Sequence, residues 1–331
     1  MKSFAKTVWA SAIGFILGSV VLSIISTFFV MIIMAGAVAA VGGSTASLRP
    51  DSVLNIDMSK LVFVEQTLES DPFAGMQFSM GGASFDQIST VGILDAVKAL
   101  ESAAVDPNIK CVYIRPDAAS DLAHLEEFRI ALEKFRTSGK PVVAYVQTAT
   151  NAGFYLASVA DRVYMSDAHG GMNMLVGLNG RMLFVKDLLD ILGVNMQLIR
   201  HGKYKSAGEM YIRNSASKEN MEQNPVMING MWKEMVAPIA ARANMTEAEF
   251  NGLLDNLSLV DAGDFKKYGL VDELVTMDQM KEKLCSLTGA SDYAKVNSIS
   301  LADYVALQAK NIPLASDCIA VIYANGEIVD G

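Results

Sequence analysis

The stretch "HGKYKSAGE", residues 201–209, places Lys203 and Lys205 two positions apart around a tyrosine. A lysine does proton-transfer chemistry only when it is neutral. Its unperturbed pKa is about 10.4, and burial lowers it by up to about 3–5 units. In an extended segment residues two apart share a face, so each of these lysines would also depress the other's pKa. Tyr204, Ala207 and Met210 offer apolar surroundings, and Glu209 is the nearby acid that could instead hold a lysine charged. Ser206 adjoins Lys205, but adjacent side chains diverge in either regular structure, so it suits orienting the lysine better than acting as its nucleophile. On spacing alone, a solvated surface loop and a desolvated base both remain open.

Other chemistries are thinner. The three histidines, His124, His169 and His201, show neither metal-ligand spacing nor a serine beside them in a Gly-flanked turn. A Ser-His-Asp triad therefore has no candidate, and no Gly-x-Ser-x-Gly elbow occurs. Cys111, Cys285 and Cys318 are odd in number and irregular in spacing, which fits neither a disulfide framework nor a metal site. Cys111 opens the apolar run "CVYI" and reads as a buried thiol. No metal and no cofactor are assigned. A serine or threonine paired with lysine remains as the nucleophilic arrangement.

The elements around the lysines alternate. "SVLNIDMSKLVFVE", "PNIKCVYIRPD", "PVVAYVQ" and "RVYMS" read as strands. "TVGILDAVKALESAAVD", "LAHLEEFRIALEKFRTSGK" and "NAGFYLASVAD" read as helices between them, and "DPFAGMQFSMGGASFDQ" as a loop. Short apolar strands separated by amphipathic helices predict an α/β fold, parallel strands joined by helical crossovers. Further on, "MLFVKDLLDILGV" reads as a helix, "NMQLIR" as a strand leading to the lysines, and residues 215–255 as largely helical. Ser217 and Asn220 are cap candidates there, and Thr246 with Glu249 forms a capping box. "SLVDAGDFKKYGLVDEL" breaks the pattern with Gly263 and Gly269. The tail "AVIYANGEI" is like "VLNIDMSKL" in kind, which suggests a second copy of the same unit beginning as the sequence ends.

The chain has 331 residues and a formal net charge of -9, which disfavours nucleic acid as a partner. Hydrophobic residues make up 51%, and much of the excess lies in a charge-free run from Val8 to Gly43. A spanning helix needs about 20 apolar residues. The run exceeds a signal-peptide core, so it reads as an uncleaved anchor, although "AGAVAA" is similar to a small-residue cleavage site. Lys2 and Lys6 precede it and predict a cytoplasmic N-terminus with the bulk of the chain outside the cytoplasm.

"HGKYKSAGEMYIR" resembles the lysine motif of the long, two-repeat form of the signal peptide peptidase A family, with Tyr204 to Ala207 as the core of the match. "TNAGFYLASVADRVYMS", the anchor and the "AVIYANGEIVDG" restart are similar to that family as well. The resemblance implies a ClpP/crotonase-like fold and a serine/lysine endopeptidase of the inner membrane that degrades cleaved signal peptides. It implies that Lys205 is the general base, that peptides and the membrane are its partners, and that the protein forms a homo-oligomer. It implies a cytoplasmic stretch at 1–7, anchor and flank at 8–43, a linker at 44–52, the repeat at 53–290, a linker at 291–316 and a second repeat from 317. Two departures stand out. Asn151 occupies the place of the nucleophilic serine, and Ala118 and Ala119 replace oxyanion-loop glycines in "RPDAAS". The expectation is a lysine-donating repeat whose serine lies beyond residue 331. A non-catalytic membrane scaffold is the alternative.

Overall fold

A computed structural model describes residues 9, 13–15, 17–31, 47–66, 88–167, 173–309 and 322. The chain divides into two units, Met1–Ser47 and Leu48–Gly331. The first holds helix α1, Ile13–Met31, whose mean hydropathy of 2.4 makes it long and apolar enough to cross a membrane.

The second unit is built on a six-stranded sheet. Its strands are β1 (Ser52–Asp57), β4 (Ile109–Arg115), β5 (Val142–Val146), β6 (Arg162–Ser166), β7 (Glu273–Val275) and β8 (Ser298–Ser300), in the order β7-β6-β5-β4-β1-β8. Every neighbouring pair is parallel. β2 (Leu61–Val64) and β3 (Ser89–Gly92) form a small parallel pair of their own. Parallel strands need crossovers that cover both faces, so the central strands must be apolar on both sides. All five residues of β5 are buried accordingly. One face packs Val53, Cys111, Tyr113, Val143 and Tyr145 with Val275, Met280 and Leu284. The alternating residues Leu54, Ile56, Val112, Ile114 and Ala144 are fully buried too. Each buried valine, leucine or isoleucine here contributes roughly 1.5–3 kcal/mol on leaving water. The Cys111 thiol is pushed up to about 11 by this burial, against a smaller opposing pull from Lys110.

Helices α2 (Ile93–Val105) and α3 (Leu122–Arg136) supply Leu100, Phe128, Leu132 and Phe135 to the core. The Phe63 and Phe128 rings, with centroids 4.6 Å apart, join β2 to α3. Helix α4 (Asn151–Ala157) follows β5, capped by Thr150. Helices α5 (Lys186–Ile191) and α6 (Glu209–Ile212) flank the lysine loop. The long α7 (Lys218–Arg242) buries Met235, Val236, Ile239 and Ala240 in its second half. Helices α8 (Glu247–Asp255), α9 (Ala262–Lys267), α10 (Met277–Thr288) and α11 (Leu301–Ala309) complete the unit. The expected Thr246–Glu249 capping box is present.

Four expectations change. "NMQLIR", residues 195–200, is in no strand; an apolar run is a strand only if a neighbour pairs with it. The break at Gly263 is a helix instead, because Asp261 and Asp264 form a capping box that starts α9 across it. Asn220 lies inside α7, and Ser217 is the cap. Part of 291–316, expected as a linker, is structured: β8 pairs with β1, and α11 buries Leu301 and Tyr304. The loop at 71–87 and the strand in the tail lie outside the described residues.

Candidate active site

Two loops hold the residues the sequence singled out, and the structure treats them differently. In the first, Lys205 is exposed, and among the described residues nothing bonds its Nζ. Its backbone is held: Arg200 Nη1 donates to the Lys205 carbonyl at 2.8 Å. Ser206 Oγ accepts from Gln223 Nε2 of α7 at 2.6 Å, so this hydroxyl is tied to the helix. Gly202 has φ +94°, a left-handed turn suited to glycine, at the start of the loop. A Cβ on Gly208 would overlap the Leu198 side chain, so the two limbs of the loop pack closely there.

Glu209 was the acid that could have quenched a lysine. It is 1% exposed and bonds elsewhere. Arg200 Nη1 donates to it at 3.0 Å, the Ser217 amide at 3.0 Å and Asn220 Nδ2 at 3.3 Å. Burial alone would push this carboxyl up. The bonds from Ser217, Arg200 and Asn220 outweigh it and hold the pKa at about 2. Lys203 Nζ lies 4.7 Å from the Tyr204 ring centroid, and a hydrogen bond to Tyr204 raises its pKa. Lys203 is thus engaged with Tyr204, while no described residue bonds Lys205 Nζ.

The second loop comprises the "RPDAAS" turn and the start of α4. Asn151 Nδ2 donates to the Val176 carbonyl at 2.7 Å, and its Oδ1 accepts from the Val176 amide at 2.9 Å. The side chain thereby imitates a backbone pairing beside the bridge between Thr150 and Met174. Asp117 Oδ1 accepts from the Gln147 and Thr148 amides at 2.6 and 2.7 Å. A Cβ at Gly153 would stand 2.8 Å from the Pro116 carbonyl oxygen, so close approach of the two turns persists and requires this glycine. Ser158 is buried, and its hydroxyl donates to the Tyr155 carbonyl at 2.7 Å. No hydrogen bond or ion pair among the described residues joins this loop to Lys205.

Asp117, Arg200 and Gln223 were not singled out from sequence. The partners of Asp117 and Gln223 lie 30 and 17 residues away, so no local pattern marks these two; Arg200 lies five residues from Lys205, inside the run read as a strand.

Residues 134–291, which include both Lys205 and Asn151, match the family model Peptidase family S49. The chain is a member of the signal peptide peptidase A family. It is 30% identical to Protease 4 of Haemophilus influenzae over 259 residues, 73% of this chain and 41% of that protein. It is 28% identical to Protease 4 of Salmonella typhi over 351 aligned positions, 98% of this chain and 55% of that protein. Serine protease SPPA, chloroplastic, of Arabidopsis thaliana is 29% identical over 68% of this chain and 33% of its own length. The chain thus spans about half the length, or less, of these family members. A monofunctional enoyl CoA isomerase from M. smegmatis aligns structurally over 66% of this chain and 78% of its own, with 15% identity and a TM-score of 0.32. At that score the likeness adds nothing to the architecture described above.

Proposed function

We propose that this chain is the membrane-anchored, lysine-bearing part of a Ser/Lys peptidase that degrades cleaved signal peptides. Lys205 is its general base, and the nucleophilic serine comes from outside residues 1–331. The observation that carries this reading is the contrast within "KYK": Lys203 is engaged with Tyr204, while Lys205 has its backbone held and its Nζ unbonded by any described residue.

Neutral Lys205 Nζ takes the proton from the serine hydroxyl as the serine oxygen attacks the peptide carbonyl. It gives that proton to the leaving amine, and the acyl-enzyme remains. It then takes a proton from water, whose oxygen attacks the ester, and returns it to the serine oxygen. This work needs a lysine shielded from water, and Lys205 is exposed. A second repeat or another copy must therefore cover it. Apolar side chains beside the loop are open to such a partner; Ile199 is 96% exposed, and Leu183, Leu188 and Ile191 are exposed as well. Residues 53–290 with the β8–α11 extension form the repeat, and a further repeat begins near 317.

α1 anchors the chain in the inner membrane with Lys2 and Lys6 on the cytoplasmic side. A reporter fused after Ser52 is then active only outside the cytoplasm; activity confined to the cytoplasm reverses the orientation. Lys205→Arg in the complete protein abolishes turnover, because guanidinium does not give up its proton at working pH. Near-normal turnover in that variant removes the general-base assignment. The engagement of Asn151 and Asp117 also suits a second reading, a scaffold without chemistry of its own. A peptidase assay on the complete protein separates the two.

A further inference from the structure

Of the five buried polar or charged residues described, three cluster beside the lysine loop: Glu209, Ser217 and Asn220. Glu209 is the charged member. A carboxylate out of water is costly unless it is paired and hydrogen-bonded, and an apolar side chain of similar size would serve packing as well or better. The position of this charge therefore asks for a reason beyond packing.

Its partners supply one. A single nitrogen, Arg200 Nη1, reaches both Glu209 Oε1 and the Lys205 carbonyl. Glu209 Oε2 takes the Ser217 amide at the capped start of α7 and Nδ2 of Asn220. The positive end of a 25-residue helix also favours a carboxylate there. One turn on, Gln223 holds Ser206. Asn220 and Gln223 are three apart, so they share a face of α7. The residues at both ends of the Lys205–Ser206 peptide are thus fastened to one helix, while Lys205 Nζ is not.

We propose that Glu209, acting through Arg200 and the first turns of α7, is the positioning residue that sets where Lys205 stands. Its consequence for turnover rests on the general-base reading above; its effect on the loop does not. Catalytic geometry is unforgiving, and a displacement of about 1 Å can cost about 10²-fold in rate.

The test uses the complete protein carrying Glu209→Gln, which keeps the size and removes the charge. Amide hydrogen exchange across residues 201–208 should rise by about tenfold, the effect of losing a charge-assisted bond, with exchange in the second half of α7 unchanged. On a peptide substrate kcat should fall by about 10²-fold with KM unchanged, the signature of a misplaced group that does not bind substrate. Should Glu209→Gln unfold the protein, Arg200→Lys keeps the charge but loses the nitrogen shared by Glu209 and Lys205, and should loosen the same residues. Wild-type exchange at 201–208 in a folded variant overturns the proposal. Unchanged kcat in a loosened loop, with Lys205→Ala also active, overturns the general-base reading and leaves the positioning role standing. Unchanged kcat with Lys205→Ala inactive shows that the loop's position does not matter to the base, and overturns the proposal.

Discussion

The lysine loop and the Asn151 turn are both dense in hydrogen bonds, but they direct them differently. Around Lys205 the bonds end on backbone and on neighbouring side chains, and among the described residues Nζ is left over. Around Asn151 the side chain in the key position is itself consumed, donating to and accepting from Val176. Asp117 likewise takes two amides at the end of β5. A reactive group must be held by others and left unsatisfied itself. The first loop meets that condition, and the second does not.

Equal truncations in the two loops should therefore have opposite consequences. In the complete protein Lys205→Ala should lower turnover by about 10²–10⁴-fold, the range for a lost general base, with the melting temperature unchanged because no described residue bonds Nζ. Asn151→Ala should leave turnover close to wild type. Comparable activity losses in both variants would break the distinction.

Stability reverses the order. Gly153→Ala should destabilise by about 1–3 kcal/mol in urea unfolding, because the new Cβ meets the Pro116 carbonyl and Thr150 Oγ1 at 2.8 and 2.7 Å. Asn151→Ala should cost about 1–3 kcal/mol, the sum of two modest bonds to Val176. Asn151→Ser returns a hydroxyl to the turn but should gain no reactivity toward a fluorophosphonate, since Asp117 already occupies nearby amides. Labelling at residue 151 in that variant would show the turn to be competent.

The last effect concerns acid. The Glu209 carboxyl sits at about 2 when folded, against 4.5 as the ordinary value. A lowered carboxyl contributes stability above its unfolded pKa and loses it as pH falls through the folded one. Stability should thus decline between about pH 4.5 and about pH 2 in the parent, and decline less in Glu209→Gln. Equal slopes in the two would mean that the Glu209 bonds do not sharpen the lysine loop as described.

Much of this was legible in the sequence because it is local. Apolar strands with turn residues at their ends gave β1, β4, β5 and β6, and the Thr246–Glu249 spacing gave a cap. Lys205 was legible as a candidate, and Asn151 as a departure, because each sits in a short motif. What hid was non-local. Glu209 meets Ser217 and Asn220 only when the loop folds onto α7, and Asp117 reaches across 30 residues. "NMQLIR" has strand composition, but strand formation is decided by a partner elsewhere.

The most direct test of this division is a fluorophosphonate reaction on the complete protein, followed by peptide mapping. The account predicts one labelled serine outside residues 1–331, with labelling lost in Lys205→Ala. A label on Thr150, Ser158 or Ser206 would contradict it, since each of those hydroxyls is engaged in a structural bond.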